Sequence, residues 1–480
     1  MSNRIEADLP ISAAAAVAGD VAADATFAVS GFGSVGYPKA VPLALASSGR
    51  DLGLTITSGG ALGDEIDTEL AEADAIARRY PFATRHAIRE RANDGRTAFR
   101  DRHVSGIGDE VRFGGLPDPD VALVEAVAVG EGWLVPSTSI GQTPAFVEAA
   151  DRLVVEVNEA QPRGLEAFHD VYRPESPPRR GPIPLEGVDG RVGSPRVEFD
   201  PEKLSAVVRT DRPDATYEFR EPTAADRAIG DHLESFLAAE IERNPALSGA
   251  VNLEFGVGSI GNALMGALDG IDFGDRRVAY FGEVLQDGLL DALDSGLLEG
   301  ASATSLALSE GGQQRLFDDI DRYAEDVVLR PAEVSNAASL IDRFGVVAVN
   351  AAVEVDLYGH VNSTHVRGST LLGGLGGSGD FTRHGLVSII ACPSTADGGD
   401  VSRIVPMATH VDHTEHDVDV VVTDRGVADL RGTSPRESAA ALVEVAHPDF
   451  RADLRRYVDR AEAANGHIPH DLGVAFDWRQ

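Results

Sequence analysis

A chain of 480 residues with 43% hydrophobic and 6% aromatic content has room for two or three domains with substantial cores. Its formal net charge of −35 leaves no basic footprint for nucleic acid. Lysine occurs only at Lys39 and Lys203, so nearly all of the 42 basic residues are arginines, and the dense carboxylates read as a halophilic surface whose self-repulsion salt screens.

The N-terminal run MSNRIEADLPISAAAAVAGDVAADATF carries a short Ala/Val stretch with no basic segment before it. Asp20 and Asp24 place acids directly after that stretch, so no signal peptide is expected. No stretch of 18 uncharged apolar residues suggests a membrane span, and a cytoplasmic location is the expectation. Lone Cys392 excludes internal disulfides and cysteine-based zinc ribbons, and reads as a small buried hydrophobe.

In chain order, β-type runs alternate with helical patterns. ATFAVSGFG, DLGLTIT, VALVEAVAV and RLVVEVN come first, then GAVNLEFGVG, RRVAYFG, GVVAVNAAVEVD, LVSIIACP and DVVVTD. Helical stretches such as AADRAIGDHLESFLAAEIERN and LLDALDSGLL lie between them. The alternation predicts an α/β fold with mainly parallel sheets and flanking helices. A Pro/Gly/Arg-rich stretch over 173–213 reads as a linker, giving an N-terminal domain over 1–215 and a C-terminal domain over 216–480. The halves echo each other: TFAVS runs into GFGSVG at 31–36, and VNLEF runs into GVGSIG at 256–261, each followed by a predicted helix.

The glycine spacing fits a dinucleotide fingerprint, and Glu283 stands 22 residues beyond Gly261, where a ribose-binding acid belongs. The first half breaks that pattern, because its next strand ends at Thr57 without an acid. The same loops suit any phosphate, or an oxyanion held by backbone N–H groups. Glu283 itself, at a strand-to-helix switch in YFGEVLQDGLLDALDSG, reads either as a helix-capping surface acid or as a carboxylate nucleophile toward an activated acyl group. A second glycine-rich stretch, LLGGLGGSGDF at 371–381, is too glycine-dense for an element interior.

The segments SGFGSVGYPKAVP, SIGQTPAFVEAADRLVVEVNEAQP, EVLQDGLLDALDSG, NAAVEVDLYGHVNSTHV, GGLGGSGDF and VPMATHVDHTEHDVDVVVTDRGVADLRG together resemble the acetyl-CoA hydrolase/transferase family of CoA-transferases nearly end to end. The resemblance implies two tandem CoA-transferase-like domains, the second carrying Glu283 as nucleophile. It implies an oxyanion hole from backbone N–H groups of Val257 and Gly377, and CoA contacts at Asn336, Gly376, Gly377 and Gly379. Asp424 is a possible pocket acid where the family often has glutamate. Asp397, in STADGG, stands where the family often has a CoA-contacting lysine, with Arg403 a candidate substitute.

The implied activity moves CoA between a short-chain acyl-CoA and a small carboxylate, with acetyl-CoA hydrolysis as the rival within the family. An NAD(P)-dependent oxidoreductase is the remote alternative. Coenzyme A enters as substrate, no permanently bound cofactor or metal is implied, and the resemblance implies a homodimer. One cluster stands apart. HVDHTEHD at 410–417 carries His410, His413 and His416 with spacing that invites a metal reading. Pro406 and the β-type run just after leave little room for a helix, so a hydrogen-bonded turn bracing the site near Asp424 is expected instead.

Overall fold

In the first half of the chain the strands order themselves outward from a central one. A computed structural model describes residues 4–475. Strand β1 (Thr26–Val29) pairs in parallel with β2 (Leu54–Ser58) on one side and β5 (Val121–Gly130) on the other. The sheet grows from β2 to β3 (Ile76–Tyr80) and β4 (Ala98–Phe99), and from β5 to β7 (Arg152–Asn158) and β9 (Leu204–Thr210), all in parallel. The far end of β5 instead takes an antiparallel partner, β6 (Trp133–Pro136), which pairs with β8 (Val197–Glu198). All ten residues of β5 are buried, as expected for a parallel strand covered on both faces. Chain order reverses between β1 and β5, and at such a switch point a crevice opens beyond the carboxyl ends of the strands. The GFGSVG loop leaves β1 there.

The chain divides into two compact units. The first comprises Met1–Glu218, Tyr280–Leu293 and Gly300–Leu340; the second comprises Phe219–Ala279, Asp294–Glu299 and Ile341–Gln480. Composition over 173–213 suggests a linker, but this stretch stays in the first unit: β9 extends the sheet, and Ile183, Leu185 and Val188 are buried. Proline and glycine there build an irregular covering segment that anchors on a few apolar side chains.

The second unit repeats the plan. Ala250–Phe255 pairs in parallel with Val346–Ala351, which pairs with Val387–Ala391 and then Val420–Thr423, and Gly426–Asp429 closes the edge antiparallel. Helix Ala224–Arg243 begins with a capping box between Thr223 and Asp226. It buries Ile229, Leu233, Leu237 and Ile241, one helical stripe at near-fourfold spacing. An apolar core forms around Val355, Leu357, Ile390, Cys392, Val421 and Leu442. Cys392 is enclosed in it, as the sequence suggests, and burial pushes its thiol up to about 12.

One buried titratable group in the first unit carries a measurable consequence. His169 is 2% exposed, and its Nε2 donates to the Ser137 carbonyl at 3.1 Å. Burial pushes its imidazole down to about 4. The unfolded chain titrates near the ordinary value of ~6.5 and binds the extra proton first, so this contribution to stability is whole above that pH and is lost as pH falls toward 4. His169→Gln, which cannot protonate, is expected to lose less melting temperature between neutral and acid pH than the parent does. Paired thermal melts across that range check it, and an equal or larger acid loss in the variant contradicts it.

Candidate active site

Glu283 is held at both ends by the first unit. Just before it, Tyr280 and Phe281 pair in parallel with Ala301 and Ser302; just after it, Val284–Leu285 pairs in parallel with Ser305–Leu306. Between these ladders the Glu283 carbonyl accepts the N–H groups of Thr304 at 2.8 Å and Ser305 at 3.1 Å. The half-buried carboxylate accepts a hydrogen bond from Asn336 Nδ2 at 2.6 Å on Oε1. Asn336 is fully buried at the end of the short helix Ala332–Ser335, and that helix hangs from the Gly141 carbonyl through the Ala332 N–H at 2.9 Å. The amide expected to meet CoA therefore also orients the glutamate. Such fixing of backbone and head group preorganises a nucleophile.

Three loops of the first unit meet at this strand end. Ser139 forms a bridge with Ser305 and donates its hydroxyl to the Val35 carbonyl at 3.0 Å. A Cβ on Gly36 would lie 2.3 Å from Ser139 Oγ, and one on Gly33 would lie 3.3 Å from Ser305 Oγ. The first glycine motif thus serves close approach of its loop to the Glu283 segment.

Beneath that loop lies a charge cluster whose members stand far apart in the sequence. Lys39 Nζ lies 2.6 Å from Glu125 and 2.8 Å from Asp214, all three side chains fully enclosed, and also donates to the Tyr37 carbonyl at 2.8 Å. Asp214 accepts the Gly36 N–H, while Ser137 and Asn158 donate to Glu125. Glu156 accepts the N–H groups of Lys39, Ala40 and Val41 at the start of helix Ala40–Ala46. Burial opposes the Lys39 charge, but Asp214 and Glu125 outweigh it and hold the ammonium above its usual value. Burial pushes Glu125 upward, against the pull of Lys39. One signal for this cluster does exist: one of only two lysines kept among so many arginines marks a place where a compact ammonium is required.

The remaining predicted residues belong to the second unit. Val257 precedes Gly258, the residue before helix Ser259–Leu268. Gly376, Gly377 and Gly379 are buried; Gly376 takes a left-handed φ of 61°, and Gly377 precedes helix Ser378–His384. Asp424 accepts the Ser394 N–H at 2.6 Å and pairs with Arg425 at 2.9 Å. Asp397 is exposed in a left-handed turn, and Arg403 donates to the Ala352 carbonyl at 3.2 Å.

The histidines of HVDHTEHD diverge. His410 meets Asp412 at 3.0 Å and lies against the His365 ring, His413 meets Ser378 Oγ at 2.8 Å, and exposed His416 lies beside Glu415. The segment is a hydrogen-bonded turn, closed by Thr414 on Asp417. Its brace runs to Ser378 in the glycine-rich segment, whereas Asp424 finds its partners in Ser394 and Arg425.

Comparison with known proteins decides the family. Residues 11–209 match the acetyl-CoA hydrolase/transferase N-terminal domain, and residues 312–458 match the C-terminal domain of the same family. A succinyl-CoA:acetate CoA-transferase of Clostridium kluyveri is 42% identical over 96% of this chain and 88% of its own. The chain belongs to the acetyl-CoA hydrolase/transferase family. An acetyl-CoA hydrolase of Eremothecium gossypii is 41% identical over 93% of this chain and 89% of its own. The crystal structure of RipA from Yersinia pestis shares the fold at a TM-score of 0.71, with 21% identity, covering 94% of this chain and 97% of that one.

Membership in the hydrolase/transferase family makes the chain an enzyme and displaces the dinucleotide reading of its glycine motifs. Asn336, Gly376, Gly377, Gly379 and Asp424 lie inside the C-terminal match. Val257 and Glu283 fall between the two matched segments, in a stretch that the Clostridium kluyveri relative spans.

Proposed function

We propose that this enzyme moves CoA between a short-chain acyl-CoA, such as acetyl-, succinyl- or propionyl-CoA, and a small carboxylate. The observation that carries the reading is Glu283, fixed at its backbone by Thr304 and Ser305 and at its head by Asn336. A glutamate oxygen attacks the thioester carbonyl and the C–S bond breaks, giving an acyl–glutamyl anhydride and CoA thiolate. The thiolate attacks the glutamyl carbonyl; the anhydride C–O bond breaks, releasing the donor's carboxylate and leaving a glutamyl–CoA thioester. An incoming carboxylate runs the same steps backward and regenerates Glu283. No net electron or proton transfer is required, so CoA serves as substrate and the chemistry calls for no bound cofactor.

Negative charge develops on a carbonyl oxygen at each attack, which calls for fixed N–H donors. The family resemblance assigns these to Val257 and Gly377. It sets Gly376, Gly377 and Gly379 beside CoA with Asn336, and offers Asp424 as the pocket acid. The finer readings go with it: a homodimer, a cytoplasmic location and a high-salt medium. The net charge of −35 and the near-absence of lysine support the last of these.

Labelled acetate is expected to exchange into acetyl-CoA with ping-pong kinetics, and borohydride to inactivate the enzyme only after acyl-CoA is added. Sequential kinetics and no exchange overturn the mechanism. The acetyl-CoA hydrolase relative supports a second reading, with water as acceptor. Release of free thiol from acetyl-CoA in molar KCl, with and without succinate, separates the two: transfer consumes acetyl-CoA only with the acceptor and frees no thiol, whereas hydrolysis frees thiol regardless.

A further inference from the structure

The part of HVDHTEHD that the chemistry leaves unused is attached to both ends of the second glycine-rich loop. At the far end, His413 Nε2 lies 2.8 Å from Ser378 Oγ, directly after Gly377. At the near end, the Leu372 N–H is bound to the Thr364 carbonyl at 2.8 Å. Thr364 is held by Asp412, the neighbour of His413, through its N–H at 3.0 Å and its hydroxyl at 2.9 Å. Both clamping residues are themselves fixed. Asp412 and His413 donate their N–H groups to the Val361 carbonyl, and the His413 carbonyl accepts the Val361 N–H at 2.9 Å. His413 is 2% exposed.

We propose that Asp412 and His413 are positioning residues, two consecutive side chains that clamp the start and the end of the loop over 372–378 and so fix the Gly377 N–H. The physical need is plain. Four of the five residues between the anchors are glycine, which loses the most backbone freedom on ordering, so pinning both ends narrows the shapes the loop can take. A donor aimed at a developing oxyanion works through being fixed beforehand, and an error of about 1 Å costs roughly 100-fold in rate. The inference rests on the proposed use of Gly377 as an oxyanion donor.

The test is a double-mutant cycle on the far clamp with Ser378→Ala and His413→Gln, plus Ser378→Thr as the conservative variant. Each of the first two is expected to lower kcat by roughly 10- to 100-fold with the carboxylate KM and the melting temperature little changed. Ser378→Thr keeps the hydroxyl and restores most of the rate. The double variant is expected to be no worse than the poorer single, because both remove one interaction. Asp412→Asn is expected to show the same kcat-selective loss from the near clamp. Full activity in Ser378→Ala overturns the proposal even if His413→Gln does not fold, as do strictly additive losses or a loss confined to stability. If Glu283→Ala abolishes transfer while these variants remain fully active, the clamp alone fails. If Glu283→Ala retains transfer, the proposed reaction fails.

Discussion

Replacing Glu283 with alanine is expected to reduce CoA transfer by on the order of 10⁴-fold or more, since the group proposed to form both covalent intermediates is gone. Glu283→Gln preserves size and an acceptor oxygen for the Asn336 amide, so its loss isolates the nucleophilic charge from the packing. Glu283→Asp keeps the charge but withdraws it by one methylene from a backbone that Thr304 and Ser305 hold in place. A displacement of that size is worth about 100-fold. Initial rates of acetate–acetyl-CoA exchange rank the three, with aspartate least impaired. Near-parental exchange by the alanine or glutamine variant would remove Glu283 from the mechanism.

The second large effect is expected at Lys39. Lys39→Met leaves Glu125 and Asp214 facing each other in a fully enclosed space without their cation. Breaking a buried ion pair from one side costs about 3–5 kcal/mol, a large part of a typical folding free energy. Lys39→Arg is expected to rescue little, because a planar guanidinium does not fit a niche shaped for an ammonium with three short contacts. Adding Asp214→Asn to Lys39→Met is expected to recover part of the loss, since it removes one of the two unpaired charges. Melting temperatures of the parent, the two single variants and the double variant check this. A methionine variant as stable as the parent contradicts it.

The central strands and their parallel arrangement were legible because buried β-type runs such as VALVEAVAV and RLVVEVN are uninterrupted, and turn residues punctuate them. The strand end at Glu283 was legible in the run RRVAYFG, and the family resemblance singled out the residue as a candidate. What lay beyond the sequence depends on distant partners. Nothing near Asn336 announces a hydrogen bond to a residue 53 positions earlier. Nothing near Asp214 announces a salt bridge to Lys39. The stretch over 173–213 misleads for a related reason: composition reports local flexibility, whereas β9 is decided by the sheet edge that β7 offers it. In HVDHTEHD, the density of imidazoles suggests one shared ligand, but the backbone turn sends each ring to a different neighbour.

The enclosure of Lys39 also makes it an internal reporter. Amine-directed reagents have few targets in a chain with two lysines, and Lys203, only partly covered where it donates to the Glu148 carbonyl, is the accessible one of the pair. Labelling at Lys39 requires the first unit to open around its ion cluster. The modification rate at that one nitrogen therefore clocks the opening of the unit that holds Glu283, separately from events elsewhere in the chain.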